Sequence, residues 1–253
     1  PDPTSHPGLR QGTMRRLQEE HHMSNDLTIF EELLLLALRD EKGTVRSGTW
    51  PDLAVGGGIL SELALGGYID LEKRRRSDRV VISGSENPAH PLLVRAIREI
   101  GDARRPTSAK NWVMRFAKMK GLRAEAAQRL VERGILGEEE HRILLVFSQT
   151  RYPERDGTAE EEVVERVRGA VLGEGTVDVR TASLVGVAHA TNLLGPLFER
   201  RQLRERRKRI ESIMESTPGA AAANQAVQAV QAAIIAATVA ASAAATSAAS
   251  SSS

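Results

Sequence analysis

The chain has 253 residues, of which 41% are hydrophobic and 27% are charged, and its formal net charge is +2. These values are typical of a globular protein that is long enough to bury a sizeable core. Because the net charge is so small, it gives no support for nucleic-acid binding. The absence of cysteine excludes disulfides and thiolate metal sites and fits a reducing compartment.

Composition divides the chain into three segments. Residues 1–23 contain proline, glycine and mixed charge without an apolar run, so we expect a disordered extension rather than a signal peptide. Residues 24–217 carry the helical and strand patterns of a folded domain. Residues 218–253 are rich in Ala, Gln and Ser. We expect a loosely ordered low-complexity tail there, since alanine contributes little membrane-insertion energy.

The folded segment begins with an apolar helix that is predicted over residues 27–38. Capping residues precede it at positions 24–26. Glu31 and Glu32 are expected on the side of this helix that faces solvent, because the remaining positions are almost all apolar.

A second helix is predicted over residues 53–65, interrupted by Gly56, Gly57 and Gly58. The three glycines lack the GxxxxGK[ST] spacing of a phosphate-binding loop. We therefore interpret them as a place where the chain closely approaches a neighbouring helix or a ligand.

One outline occurs twice in the chain: a helix, a glycine stop and a β-hairpin. The first copy stops at Gly67 and carries the basic loop Lys73–Arg79 between its strands. The second copy stops at Gly134, and a predicted apolar strand at 143–147 leads to a tip at 148–153. The pattern favours a mainly α fold with peripheral β-hairpins and an internal winged-helix-like repeat.

Apolar residues at helical spacing predict five further helices, of which the last is strongly basic. They lie at residues 91–101, 108–119, 158–172, 179–198 and 199–216. The sequence contains no HExxH or GxSxG motif and no spaced carboxylate–histidine cluster. We therefore expect a single-domain, mainly helical protein that is not an enzyme and holds no metal or cofactor.

A cationic segment with Lys118, Lys120 and Arg123 precedes the apolar second hairpin. Such a combination suits an anionic lipid surface. Each basic group near the surface adds about 1 kcal/mol of attraction, and apolar tips add about 25 cal/mol per Å² buried. The alternative interpretation is a solvated basic helix followed by an ordinary core strand.

Several stretches resemble the Golgi phosphoprotein 3 family in a consistent order. They are residues 27–43, Trp50, Glu62–Leu65 with Gly67, Leu130–Leu136, and Ala188–Ala190. The resemblance implies a mainly helical lipid-binding domain over residues 24–217, in a peripheral membrane protein that recognises phosphatidylinositol 4-phosphate. It also implies binding to the cytoplasmic tails of membrane proteins. The composition, rich in Ala, Gly and Arg, is similar to that of bacterial homologues.

The resemblance further implies a headgroup site and a membrane-inserting hairpin. The tryptophan of the family's site corresponds to Trp50, its two helix arginines correspond to Lys120 and Arg123, and a further basic residue falls at Gly56. Lysine keeps the charge but lacks the planar fork that holds a phosphate with two hydrogen bonds. The inserting side chains implied for the hairpin are Leu145, Val146, Phe147 and Tyr152.

These residues predict a cytoplasmic protein that associates reversibly with membranes through anionic lipids, with phosphatidylinositol 4-phosphate as one candidate. Two alternatives stay open. A winged-helix-like protein would bind nucleic acid through Lys73–Arg79, although its apolar helices offer few donors to base edges, so nucleic acid is not the expected partner. A protein-interaction adaptor would dock acidic partner segments on the basic helix at Arg200–Arg209.

Overall fold

Helices make up most of the structure, and two small hairpins accompany them. The computed structural model describes residues 27–38, 43–45, 48–74, 78–84, 87–143, 147–215 and 232–244, with the backbone alone described at 141–143, 147–149 and 215. In chain order the elements are α1 (Ile29–Ala37), α2 (Pro51–Leu65), β1 (Ile69–Glu72), β2 (Arg79–Ile82), α3 (Pro91–Gly101), α4 (Ala109–Phe116), α5 (Leu122–Glu132), β3 (Glu139–Ile143), β4 (Phe147–Arg151), α6 (Thr158–Leu172), α7 (Val179–Ala190), a 3₁₀ turn (Gly195–Leu197), α8 (Arg200–Glu205), α9 (Arg207–Glu215) and α10 (232–244). Both sheets are two-stranded and antiparallel, which confirms the predicted mainly α architecture with hairpins.

Helix α1 is central to the fold, because all nine of its residues are buried. One apolar cluster joins it to α2, α4 and α5, and a second joins it to α6 and α7. The prediction that Glu31 and Glu32 face solvent is therefore wrong. Glu31 accepts hydrogen bonds from the backbone N–H and hydroxyl of Thr28, which is the N-cap in place of residues 24–26. Glu32 lies 2.5 Å from the guanidinium of Arg166, so a distant cation compensates its burial.

Helix α2 runs without interruption through its three glycines. A Cβ atom at Gly56 would lie 2.8 Å from the carbonyl oxygen of Val113 in α4. A Cβ atom at Gly58 would lie 2.7 Å from the Cα atom of Phe30 in α1. The absence of side chains thus lets two helices approach the backbone of α2. The predicted close approach is confirmed, whereas the predicted interruption is wrong.

Both hairpins are entered through the same local structure. Gly67 and Gly134 follow α2 and α5 with φ angles of +71° and +73°. The next residue in each copy, Tyr68 or Ile135, donates its backbone N–H over 2.9 Å to the carbonyl five residues earlier. These are the bonds of a Schellman helix end, which favours glycine at the left-handed position. The predicted repeat of helix, glycine stop and hairpin is confirmed.

The second hairpin differs from the predicted one in its register. Strands β3 and β4 are paired along their whole length, and the last pair is Ile143 with Phe147. This pair therefore lies at the far end of the hairpin, and residues 148–151 belong to a strand rather than to the tip. Residues 144–146 of the predicted strand lie outside the described residues. A run of apolar residues does not show where a chain reverses, which explains the error.

Three helix boundaries show how far apolar spacing alone can be trusted. Helix α6 coincides with the predicted range 158–172. Helix α7 ends at Ala190 instead of residue 198, and Asn192 follows with a φ angle of +61°. The predicted basic helix 199–216 is divided at Arg206 into α8 and α9.

The alanine-rich tail contains a helix that packs into the core, contrary to the predicted loose appendage. Thr238 and Ala241 of α10 are fully buried. A Cβ atom at Gly57 of α2 would lie 3.0 Å from the Thr238 hydroxyl, and one at Gly186 of α7 would meet Ile235. The two glycines of α2 and α7 therefore permit α10 to approach both helices closely. Across the part of the chain that the structure describes, no helix is both long and apolar enough to cross a membrane.

Candidate functional site

A cavity of about 350 Å³ lies where the start of α2, the turn between α4 and α5, the start of α5 and the end of β4 meet. Its ionisable lining groups are Asp52, Lys118, Arg123 and Tyr152, and the other walls come from residues 38, 43–45, 117, 119, 121, 122, 124 and 150. At neutral pH, two cations face one carboxylate, so the lining carries one net positive charge. Two helices begin at this cavity, and a helix start attracts anions through its free N–H groups and its dipole.

Arg123 enters the cavity from the first turn of α5 and pairs with Asp52 in the first turn of α2. Its Nε atom lies 2.6 Å from Asp52 Oδ1, and its Nη2 atom lies 2.8 Å from Oδ2. This is the two-bond geometry that makes arginine suited to carboxylates and phosphates. The hydrogen bonds to Asp52 raise the pKa of Arg123 above its ordinary value, so this side chain stays charged.

The turn between α4 and α5 carries the lysines of the site. Lys118 lines the cavity, whereas Lys120 is exposed and lies outside its lining. Arg95 of α3 donates a hydrogen bond over 3.2 Å to the carbonyl oxygen of Lys120 and forms an ion pair with Glu125. The backbone of the turn is therefore held from outside the cavity by a cation that does not line it.

Tyr152 forms part of the cavity wall and does not point to solvent. Its exposed fraction is 6%, and burial followed by the nearby charge of Glu138 raises its pKa above the ordinary value. Its backbone N–H donates to the carbonyl of Gly43 over 3.4 Å. A Cβ atom at Gly43 would lie 2.4 Å from the Pro153 nitrogen, so only glycine permits this contact. The structure thus places Tyr152 inside, unlike the inserting role implied by the resemblance.

The other implied residues are distributed around the cavity. Trp50 is the N-cap of α2, is half-buried against the core and lies two positions before Asp52, outside the lining. Phe147 begins β4, and only its backbone is described. Leu145 and Val146 lie outside the described residues. Of the three implied headgroup residues, only Arg123 lines the cavity.

Two charged lining residues were not assigned to the site from the sequence. Lys118 belongs to the cationic segment, but no spacing rule distinguishes it from Lys120. Asp52 is 71 residues away from Arg123 in the chain, so their pairing is visible only in three dimensions. The one local signal for Asp52 was its place in the first turn of a helix, where acidic residues are favoured.

A second polar cavity of about 360 Å³ lies between the start of α3 and one face of α5. His90 caps α3, because its Nδ1 atom accepts the backbone N–H of Leu92 over 3.1 Å. Its Nε2 atom lies 3.8 Å from the buried Glu31 Oε1, and Arg129 Nε lies 3.6 Å from the same oxygen. Burial lowers the pKa of His90 and raises the pKa of Glu31. Neither cavity has a metal site, since no group of three or more potential ligands occurs among the described residues.

Comparison with known proteins shows the family of the chain. The sequence pattern of the family described as Golgi phosphoprotein 3 (GPP34) matches residues 29–232. The chain belongs to the Golgi phosphoprotein 3 family. The match runs from α1 through α9 and includes the whole lining of the first cavity. The chain is also 28% identical over 242 residues to vacuolar protein sorting-associated protein 74 of Schizosaccharomyces pombe, covering 82% of this chain and 69% of that protein. The family resemblance read from the sequence is confirmed.

Proposed function

We propose that this member of the Golgi phosphoprotein 3 family binds anionic phospholipid headgroups at a membrane surface. Phosphatidylinositol 4-phosphate is the first candidate lipid. The observation that carries the proposal is a cavity that Lys118 and Arg123 both line, beside the end of the second hairpin. Asp52, in the same lining, follows two residues after Trp50, which packs against the core.

The charge and size of the cavity support a phosphate ligand. Lys118 supplies an ammonium group, and Arg123 retains its Nη1 donors after pairing with Asp52. The starts of α2 and α5 add the positive ends of two helix dipoles. A volume of about 350 Å³ is within the size range of small-ligand sites. Lys120, just outside the lining, adds longer-range attraction to an anionic surface.

The second hairpin supplies the apolar part of the proposed membrane contact. Phe147 lies at its far end, where it pairs with Ile143, and the resemblance implies Leu145 and Val146 as further inserting side chains. Their insertion would add about 25 cal/mol per Å² of apolar surface buried. Tyr152 has a different role in this proposal: it closes the wall of the headgroup cavity.

We further propose a non-enzymatic adaptor role at the cytoplasmic face of a membrane. The relative from Schizosaccharomyces pombe is named for vacuolar protein sorting. A corresponding role here would combine reversible lipid binding with contacts to the cytoplasmic tails of membrane proteins. The nucleic-acid alternative is disfavoured, because 12 of the 15 residues of α2 are buried and cannot reach base edges. In the basic helices α8 and α9, some arginines form ion pairs with a glutamate of the same helix, as Arg201 does with Glu205. These pairs leave less positive charge for acidic partner segments.

Co-sedimentation of the full chain with lipid vesicles tests the lipid proposal. The vesicles would be neutral, rich in phosphatidylglycerol, or doped with phosphatidylinositol 4-phosphate. We expect the protein to pellet with anionic vesicles and to remain in solution with neutral ones. Arg123→Ala should abolish pelleting, whereas Arg98→Ala, which removes the same charge from the exposed face of α3, should retain it. Equal pelleting of both variants, or none by the parent, would refute the assigned site.

A second pair of variants tests the hairpin. Phe147→Asp should abolish vesicle binding, because a charge at the far end of the hairpin opposes insertion. Ile82→Asp is the matched control, since Ile82 is an exposed apolar residue at the end of β2 in the first hairpin. If both variants pellet like the parent, the second hairpin does not insert.

A further inference from the structure

Asp52 places a carboxylate inside a cavity whose proposed ligand is an anion. It takes both the Nε and Nη2 donors of Arg123, at 2.6 and 2.8 Å. These two donors form the edge of the guanidinium that holds a phosphate with two hydrogen bonds. A phosphate that uses this edge must therefore compete with Asp52.

The pair is positioned by backbone rather than by chance contact of two long side chains. Asp52 and Arg123 each occupy the second residue of a helix, α2 and α5 respectively. The short aspartate side chain has little freedom to leave, and the start of α2 favours its negative charge. Both side chains are nevertheless about 40% exposed, so the pair can open toward solvent without burying an unpaired charge.

We propose that Asp52 is a specificity-determining residue of the headgroup cavity, which selects phosphomonoesters over phosphodiesters by making each anion compete for Arg123. This inference rests on the proposed lipid-binding function. A phosphodiester carries one negative charge, so replacing the carboxylate exchanges one monoanion for another with little gain. A phosphomonoester carries about −1.5 to −2 charges and three acceptor oxygens near neutral pH, so it can displace the carboxylate.

The same geometry accounts for selectivity without a third basic ligand. The position that the resemblance pairs with a basic residue of the family is Gly56, so among the described residues the cations of the lining are Lys118 and Arg123 alone. Two cations without a competitor would hold any anionic headgroup. With Asp52 in place, a monoanionic headgroup can bind one cation, Lys118, because Asp52 keeps its pair with Arg123. A phosphomonoester displaces Asp52 and can bind both cations.

The test compares vesicle binding by the full chain and its Asp52→Asn variant. Asparagine keeps the shape and removes the charge. Vesicles with phosphatidylglycerol and vesicles with phosphatidylinositol 4-phosphate would be matched in surface charge. We expect the variant to bind phosphatidylglycerol vesicles about fivefold more tightly, the size of a half-exposed ion pair, with a smaller gain on the phosphoinositide, so that selectivity falls. Asp102→Asn, which removes a charge from the exposed end of α3, should change neither affinity by more than about twofold.

Other outcomes decide whether Asp52 selects between anions or only holds Arg123 in place. If Asp52→Asn weakens binding to both vesicles, or leaves their ratio unchanged, the selective role is wrong. Thermal unfolding of each variant shows whether the fold is kept. Asp52→Ser, which is uncharged and favourable at a helix start, replaces the asparagine variant if that one unfolds, and unfolding of both contradicts selection. Binding of phosphatidylglycerol vesicles by the variant alone, with the phosphoinositide vesicles still bound by the parent, supports selection. Binding of neither vesicle by either protein refutes the proposed lipid function as well.

Discussion

The sharpest prediction from the fold concerns Gly58→Ala in the middle of α2. Alanine in place of glycine normally stabilises a helix interior by roughly 1 kcal/mol. At Gly58 the added Cβ atom would lie 2.7 Å from Phe30 Cα and 2.9 Å from Leu33 Cδ1. Because Phe30 belongs to a helix that is buried on all sides, its backbone cannot yield unless α1 moves.

We expect the overpacking to exceed the helix-propensity gain, with a net loss of roughly 2 kcal/mol in the free energy of unfolding. For a domain of this size, that loss lowers Tm by about 4–8 °C. Gly169→Ala is the matched control, because Gly169 is an exposed glycine of α6 with no atom near its added Cβ. It should raise Tm by about 2–3 °C. Thermal and urea unfolding followed by circular dichroism give both values.

The signs of the two changes test the reasoning. If Gly58→Ala is as stable as the parent, or more stable, then close helix approach is not the reason for glycine at this position. The close contacts of α2 with α1 would then be looser than the structure indicates. A loss of stability in Gly169→Ala would instead show that glycine has another role in α6.

Three further predictions concern elements outside α2. Arg95→Ala should weaken binding to anionic vesicles roughly threefold, because the Lys120 carbonyl loses the hydrogen bond that holds the turn in place. Ile235→Asp should lower Tm by about 6–12 °C, since it buries an unpaired charge worth roughly 3 kcal/mol between α10 and α7. As the pH falls from 7.5 to 5.5, the free energy of unfolding should decrease less for His90→Asn, which keeps a capping side chain, than for the parent. Burial lowers the pKa of His90, so the unfolded chain takes up its proton first, near about pH 6.5, and the stability is lost below that pH.

Each of these predictions has its own comparison. Arg98→Ala removes an exposed arginine from the same helix as Arg95 and should leave vesicle binding intact. Val239→Asp alters an exposed position of α10, 43% exposed, and should change Tm far less than Ile235→Asp. Identical pH profiles for the parent and His90→Asn would show that the buried imidazole is not the group that titrates.

Much of the fold could be predicted because the relevant signals are local. The range of α6 follows from valines at helical spacing on one face and from glutamates near its start. Gly67 and Gly134 end their helices with bonds that span only five residues. The repeated helix and hairpin units were visible for the same reason.

The errors occurred where the deciding partner is far away in the chain. Glu32 is buried because Arg166 reaches it from a helix 134 residues later. The tail was predicted to be loose because it is of low complexity and alanine contributes little membrane-insertion energy, yet α10 fits against Gly57 and Gly186. Composition gives no information on such a fit, since it depends on the shape of the surface that receives the helix.

The sequence indicated a cationic candidate site beside an apolar hairpin, but it did not indicate the ion pair between Asp52 and Arg123. A cationic segment next to an apolar hairpin led to the proposed region, and Arg123 lines the cavity there. The sequence could not distinguish Lys118 from Lys120 as the lining lysine, because both lie in one short turn. It also could not pair Asp52 with Arg123, which follows from the packing of α2 against α5.

Gly56 connects the packing of the fold with the properties of the site. A Cβ atom at Gly56 would lie 2.8 Å from the Val113 carbonyl oxygen and 3.2 Å from the Ala117 nitrogen, where the turn that carries Lys118 begins. A long basic side chain therefore cannot replace Gly56 while α2 and α4 stay this close. The close contact between α2 and α4 therefore leaves no room for a third cation at this position. In the proposed headgroup site, Lys118 and Arg123 then supply the cations of the lining, and the proposed discrimination between anions depends on the carboxylate of Asp52.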